Sequence, residues 1–314
     1  RWNLSNEEFW TNHIGENFGA KLRVSWGISG NNNIGNYEHV GYMSNLGGYV
    51  LGGQIVPTRY PSAFVDNLLG WEKTDQYNVG MDLSFLRNRL TLSANYYNSI
   101  SNDLLFNKPI SAIAGATQYK SNLSNAKIRN TGFDIQVDGR ILTGPVTWNV
   151  GANLSLNRNK VLSLPDSQSI VSIGERSAIS HITMVGKPIG SFYGLNSLGV
   201  ISEEEYQRIL VDKQHIGEEG YQLTGPAVWN YENVQPGDAK WKDVNNDGKI
   251  TDDDREILGD NYPDFTYGFS TNISYKGVSL SASFSGVQGA QVISFQNYYL
   301  LNMEGTCNQF ALAA

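Results

Sequence analysis

Charge is scarce in this chain. Asp, Glu, Lys and Arg make up 17% of its 314 residues, where an ordinary soluble domain carries about 25%. The net charge is −7 and no Lys/Arg block occurs, which excludes the electrostatic footprint of a nucleic-acid binder. A single cysteine, Cys307, rules out a disulfide scaffold. No run approaches the ~18 apolar residues of a transmembrane helix. Hydrophobic residues reach only 40%, and mean hydropathy is −0.34. The balance is glycine (33 residues) with many Asn, Ser and Thr, and aromatics at 11%. That aromatic content and the moderate net charge also argue against wholesale disorder. The chain opens at Arg1-Trp2-Asn3 without an initiator Met and stops just after an aromatic stretch. The expectation is a piece of a longer protein, whose compartment the ends do not reveal.

What is present is hydrophobicity with a period of two. Leu22, Val24, Trp26 and Ile28 alternate with Lys21, Arg23, Ser25 and Gly27. The same alternation runs through 77–85, 89–98, 131–139, 146–156, 265–275 and 278–287, so strands are expected near these positions and 21–28. Each approaches the ~9–11 residues that cross a bilayer at a tilt. The apolar parity holds no charge, and Thr271 is its one non-aromatic polar member away from the segment ends. A charge facing lipid near the midplane costs about 2–4 kcal/mol, and the core face of a soluble sandwich excludes charge as well. Pattern alone fits both.

Three features favour the membrane. The opposite parity is Gly, Ser, Asn and Thr rather than the Lys and Glu of a solvated face. Aromatics recur towards strand ends, at Tyr77, Phe85, Tyr96, Tyr97, Phe265 and Tyr275, as interfacial girdles would. The connections are lopsided. Leu86–Asn88, Arg140–Pro145 and Lys276–Gly277 are short, whereas 29–75, 99–129 and 157–264 are long. Along an up-and-down path all the short turns fall at one end, as in outer-membrane barrels. The expected fold is all-β, an antiparallel up-and-down transmembrane β-barrel with long extracellular loops, and residues 1–314 are expected to be part of one barrel domain.

The sharpest local motif is Asp243-Val-Asn245-Asn-Asp247-Gly248-Lys249-Ile250-Thr251-Asp-Asp-Asp254. Its spacing matches a calcium loop. Asp243, Asn245, Asp247 and Asp254 offer side-chain oxygens, Lys249 its carbonyl, and Thr251 a hydroxyl or bridging water. Asp rather than Glu at the twelfth position makes bidentate ligation less assured. The competing reading is an acidic turn ending in a short helix over 252–258. Calcium would rigidify an external loop, not catalyse. Loop aromatics, among them Tyr37, Tyr42, Tyr119, Tyr193 and Trp229, are candidates for contact with a substrate or a partner protein. The Gly-rich stretch 30–37 lacks the Lys and Ser/Thr of a phosphate loop. The four histidines have no metal-ligand spacing, Cys307 has no Cys/His arrangement around it, and no G-x-S-x-G element occurs. Asp134 and Asp138 share one face of one strand and read as lumen wall rather than an acid–base pair. The chain therefore reads as a non-enzyme.

Several segments together resemble the SusC/RagA family of TonB-dependent outer-membrane transporters of Bacteroidota. They are Leu22-Arg-Val-Ser-Trp-Gly-Ile-Ser-Gly-Asn-Asn32, Trp71-Glu-Lys-Thr74 with Gln76-Tyr-Asn-Val-Gly80, Asn130-Thr-Gly-Phe133, Val185–Gly194, Pro236-Gly-Asp238 with the calcium-like loop, and Pro263-Asp-Phe-Thr-Tyr-Gly268. They cover nearly the whole chain in the family's order. The resemblance implies a barrel of about 22 strands, of which this chain is an incomplete, late arc, with the plug domain and TonB box absent. It also implies TonB-dependent import of bulky nutrients, oligosaccharides or peptides, across the outer membrane with a SusD-like surface lipoprotein. The alternatives are a passive porin-like channel and a soluble calcium-binding domain that recognises carbohydrate.

Overall fold

The computed structural model describes residues 1–14, 17–37, 39–111, 113, 118–165, 169–173, 180–216, 218 and 220–300. Cys307 lies outside them. In chain order the strands are β1 (Trp2–Asn3), β2 (Phe18–Asn31), β3 (Tyr42–Leu51), β4 (Gln54–Ala63), β5 (Glu72–Phe85), β6 (Leu90–Pro109), β7 (Gln118–Thr143), β8 (Val146–Ser163), β9 (Ile170–Ile173), β10 (Ser180–Thr183), β11 (Ser191–Gly194), β12 (Ser197–Val200), β13 (Ala239–Trp241), β14 (Glu256–Gly259), β15 (Phe265–Tyr275) and β16 (Val278–Gln288). The helices are α1 (Glu8–His13), α2 (Glu203–His215) and α3 (Phe295–Leu300). The chain divides into two units. One comprises 1–169, 184–189 and 262 onward; the other comprises 170–183 and 190–261.

The first unit is built on an eight-stranded antiparallel sheet in the order β1-β2-β5-β6-β7-β8-β15-β16. Among the described residues this sheet does not close on itself. Its register aligns the alternating sequences. Leu22 faces Met81, Met81 faces Ala94, Ala94 faces Ile135, Ile135 faces Leu154, and Leu154 faces Tyr267. The neighbouring row of opposite parity is Lys21, Asp82, Ser93, Gln136, Asn153 and Gly268. Because side-chain direction alternates along a strand, the rows from Val79 to Phe85 keep their faces, and this part of the sheet has one apolar and one polar side. The apolar side is open. Trp26 is 62% exposed and Phe284 64%. A soluble sandwich would bury such a surface, and a contiguous apolar patch of this extent calls for another covering.

The strands outrun the expected lengths. The segment 99–129 is not a loop: β6 continues to Pro109 and β7 begins at Gln118. The alternation is interrupted there by a bulge between Asn102 and Leu104. Asp103 and Asn125 sit at φ 54° and 66°, in the left-handed region that a bulge tolerates. The apolar run Leu104-Leu105-Phe106 that follows hides the period. The segment 29–75 likewise holds the hairpin β3–β4, and β5 starts at Glu72. The turns at the other end are short. Leu86–Asn88 carries three successive positive φ angles, and the turn at Lys276–Gly277 carries two, the hand that matches strand twist.

The segment 157–264 is also not one long loop. Beyond the end of β8 it contains the whole second unit. This unit has a four-stranded antiparallel sheet ordered β14-β11-β10-β9 and the pair β12–β13. Strands of three or four residues are too short to show a period. Helix α2 starts at a capping box in which Ser202 and Glu205 satisfy each other's backbone N–H, with Glu203 and Glu204 also in its first turn, favourable at the positive end of the helix dipole. Ile201, Ile209 and Val228 form a buried core, with Tyr206, Tyr231 and Val234 packed on it. Fully buried Asp212 accepts from Tyr221 Oη (2.8 Å), Thr224 N (3.0 Å), Thr224 Oγ1 (2.9 Å) and Gly225 N (2.7 Å). Burial alone would raise its carboxyl, but these donors together hold it below its ordinary value.

Candidate functional site

The polar face of the sheet carries a cross-strand network. Arg23 on β2 donates to both oxygens of Asp82 on β5, at 2.8 and 2.7 Å, and Ser93 on β6 donates to Asp82 at 2.8 Å. Gly80 leaves room for it, since a Cβ there would meet Arg23 Nη2 at 3.0 Å and Asn95 Oδ1 at 2.4 Å. A cavity of about 410 Å³ lies against this face, lined by Ser5, Lys21, Asp82, Ser93 and Asp138 among others. Asp134 accepts from Ser155 Oγ, and Asp138 from Gln136 Nε2 at 2.8 Å. Each carboxylate has its own neutral partner, as wall residues would. Sequence reasoning missed the Arg23–Asp82–Ser93 network. Each residue was visible on the polar parity, but only the register puts them side by side.

Loop 243–254 belongs to the second unit. Gly248 N donates to Asp243 Oδ2 (2.9 Å), Asp247 N to Asn245 Oδ1 (2.9 Å), and Lys249 N to Asp247 Oδ1 (2.8 Å). Successive side-chain oxygens thus turn inward over a tight coil. Gly248 is at φ +81°, and a Cβ on it would meet Leu223 Cδ1 at 2.1 Å. Ile250 is buried beneath the loop. Thr251 caps a 3₁₀ turn, Asp252–Asp254, which leads into strand β14; the short helix over 252–258 does not form. Asp254 is fully buried. It accepts from Thr251 N (2.7 Å) and Val244 N (2.9 Å), and the bond from Thr251 foremost holds its carboxyl below the ordinary value.

The donor set of this loop is all oxygen, suited to a hard cation. Asp243 Oδ1 is buried without a hydrogen-bond partner, the kind of orphan acceptor that a cation would satisfy. Against this, among the described residues no three His, Cys, Asp or Glu side chains converge as a metal-ligating group. Asp254 is turned onto backbone amides instead.

The aromatic candidates are dispersed. Tyr37, at φ 65°, is 75% exposed. Tyr42 opens β3, and its side chain lies outside the described part. Tyr119 is half-buried in β7 opposite Lys108. Tyr193 is in β11 between Ser180 and Ile257. Trp229 borders a cavity of about 220 Å³ within the second unit. Trp241 lines the same cavity with Asn230, Asn233 and Asp238, over a floor that includes Ile201 and Val228. Trp241 gave no signal in the sequence, because the three residues of β13 show no period. Nearby, Lys240 Nζ bonds Glu205 at 2.8 Å, and this bond above all brings the Glu205 carboxyl down to about 2. Burial pushes the Tyr231 phenol up to about 12.

No protein-family model matches the chain. It is similar to TonB-dependent receptor P3 of Formosa agariphila, 30% identical over 318 residues that take in 99% of this chain and 29% of that protein. It is similar to TonB-dependent receptor SusC of Bacteroides thetaiotaomicron, 27% identical over 293 residues, 90% of this chain and 26% of that one. Its fold matches a chain of the RagAB peptide transporter with a TM-score of 0.72 at 21% identity, covering 97% of this chain and 30% of that one. A chain of the RagAB peptide importer in the closed-closed state gives 0.71 at 23% identity, with the same coverage. The chain thus spans under a third of the length of the relatives it matches. Aligned almost from end to end with a part of such proteins, and sharing the fold of that part, it is similar to the SusC-like TonB-dependent receptors.

Proposed function

We propose that this chain forms part of the wall and outer loops of an importer in the bacterial outer membrane. The importer takes up bulky nutrients, oligosaccharides or peptides, with energy from TonB and with a SusD-like lipoprotein on the surface. The observation that carries this reading is the register, which sorts the rows from Val79 to Phe85 into an uncharged apolar face and a polar one, with charge entering beyond them, as at the row of Ile28 and Ile100 through Asp75, Arg129 and Lys160. The apolar face meets lipid. Its depth fits: Tyr77 and Phe85 lie on it eight residues apart, about 26 Å along the strand, on the scale of the ~25 Å apolar band of outer-membrane barrels. The polar face offers hydroxyls, amides and a paired Arg23–Asp82 to a watery or plugged interior. The relatives are named as receptors and the structural neighbours as transporters, which supports import rather than chemistry on the cargo. The test is growth of a strain with the receptor gene deleted on single polysaccharides or peptides as the sole carbon source, with the neighbouring surface lipoprotein co-purified. Normal growth on every cargo and no lipoprotein partner would refute it.

The same reading takes loop 243–254 as a calcium site that stiffens an outer loop. Asp243, Asn245, Asp247 and Thr251 would contribute side-chain oxygens and Lys249 its carbonyl. Asp254 would have to exchange a backbone amide for the ion. Titration of the intact receptor with calcium, before and after Asp243→Ala, tests this. Binding at millimolar calcium or below that the substitution removes is the expected result, and no calorimetric or thermal response to calcium would sink it.

A further inference from the structure

We propose that the cleft between Trp229 and Trp241 binds a neutral sugar ring. The inference names a cargo class for the import reading, and rests on that reading for its use in the cell. Trp229 is 60% exposed, and Trp is among the residues enriched at binding hot spots. With Trp241, Val228 and Ile201 it lines the cavity of about 220 Å³. One face of a pyranose is a set of C–H bonds, apolar and slightly positive, which suits the negative face of an aromatic ring.

The rim supplies the hydroxyl chemistry. Asn230 Oδ1 accepts from Glu232 N, and Asp238 Oδ2 accepts from Gln235 N, each at 2.8 Å. The Asn230 amide nitrogen, the whole Asn233 amide, the second Asp238 oxygen and both indole N–H groups make no hydrogen bond among the described residues. Sugar hydroxyls donate and accept at once, and this mixture of donors and acceptors meets both needs. One cation beside the cleft is already engaged, Lys240 with Glu205 at 2.8 Å. No Lys or Arg lines the cavity itself, where Asp238 is the one charged residue, so the lining has nothing to anchor a carboxylate or phosphate and the chemistry selects a neutral polyol.

The platform is held before any ligand arrives. Val228 pairs with Lys249 in a parallel bridge, Ile250 N donates to Val228 O at 3.2 Å, and Tyr231 Oη donates to Gly248 O at 2.8 Å. Residues on both sides of Trp229 are thereby fixed to loop 243–254, and a prepositioned site spares the ligand the cost of ordering it.

The experiment uses the purified intact receptor in detergent. The probes are maltohexaose, laminarihexaose and a β2,6-fructan hexamer, with trialanine as the contrast, read by saturation-transfer NMR and calorimetry. One of the hexasaccharides is expected to bind. Trp229→Ala should weaken it by at least about tenfold, and Trp229→Phe, which keeps a ring, by no more than about threefold. Asn233→Leu should weaken it while leaving chromatographic and electrophoretic behaviour unchanged, which separates recognition from misfolding. Failure of all three saccharides to bind overturns the proposal. So does equal affinity in Trp229→Ala, or binding of trialanine that the Trp229 substitution abolishes. Uptake in cells is scored separately. Lost binding with intact uptake would detach the cleft from import, and intact binding with no uptake of any nutrient would strike the import reading alone.

Discussion

Met81→Arg in the intact receptor tests the assignment of the sheet's two faces. Met81 lies on β5 midway between Tyr77 and Phe85, in the row that includes Leu22, Ala94 and Ile135. No acidic residue shares its row on this face; Asp82, next in sequence, points to the other side and is bonded to Arg23. An arginine here would stand near the middle of the apolar band without a partner. The expected cost is about 2–4 kcal/mol, a loss of roughly 30- to 700-fold in the folding equilibrium. Depth should grade the effect: Tyr77→Arg, nearer the interface, should cost about 0–1 kcal/mol. Gln136→Arg serves as the opposite-face control. It lies on the polar parity beside Asp138, which its amide already contacts, and should change stability by less than about 0.5 kcal/mol. The assay is urea-dependent folding into lipid vesicles, followed by heat-modifiable mobility. Equal penalties at 81 and 136, or a larger one at 136, would refute the assignment of the apolar face to lipid.

Other outcomes follow from particular contacts. Gly132→Ala should destabilise the sheet by about 1–3 kcal/mol, since its Cβ would lie 2.2 Å from Leu156 O and 2.5 Å from Tyr97 Oη; Tyr97→Ala should fail to rescue it in the same vesicle assay, because the carbonyl remains. Asp212→Ala should strand the N–H groups of Thr224 and Gly225, at about 1–3 kcal/mol for each buried donor left unmade, seen as faster amide exchange across 201–230. The folded Asp212 carboxyl lies below its unfolded value, so its contribution is full above about pH 4 and is lost as pH falls through the folded value; an acid titration should show a shallower loss in Asp212→Asn than in the parent. Asn122 accepts from Gly70 N and donates to Gly70 O and Asp103 O, so Asn122→Ala should raise exchange at Gly70 while leaving the paired core of β6 and β7 protected.

Much of the wall was legible because a two-residue period survives without knowledge of the partner strand. The seven alternating segments fall within strands of the sheet, Arg89 at one edge excepted, and the uncharged parity became its apolar face. What could not be read was whatever depends on register or on broken periods. A bulge at Asp103 and Asn125 interrupts the pairing, and the run Leu104-Leu105-Phe106 hides the period, so the upper halves of β6 and β7 looked like a loop. Arg23, Asp82 and Ser93 are far apart in sequence, and only pairing unites them. In the second unit the strands are too short to alternate, and Asp212 reads as one more helix acid until Thr224 and Gly225 fold back onto it. The loop at 243–254 was the reverse case. Its ligand spacing was plain in the sequence, whereas the turning of Asp254 onto backbone amides was not.

The second unit occupies the connection between β8 and β15, two strands that pair directly from Ser155 and Thr266 onward. Between its two excursions the chain returns to the first unit, where Gly186 N donates to Val161 O and Val161 N to Lys187 O. Both excursions are therefore closed loops whose ends the sheet fixes. The entropy of closing a loop grows only with the logarithm of its length, so doubling such an insert costs about 0.6 kcal/mol. Inserts of quite different size and chemistry can then be exchanged on one wall at small thermodynamic expense. A family built this way can diversify what it recognises without altering how it sits in its surroundings.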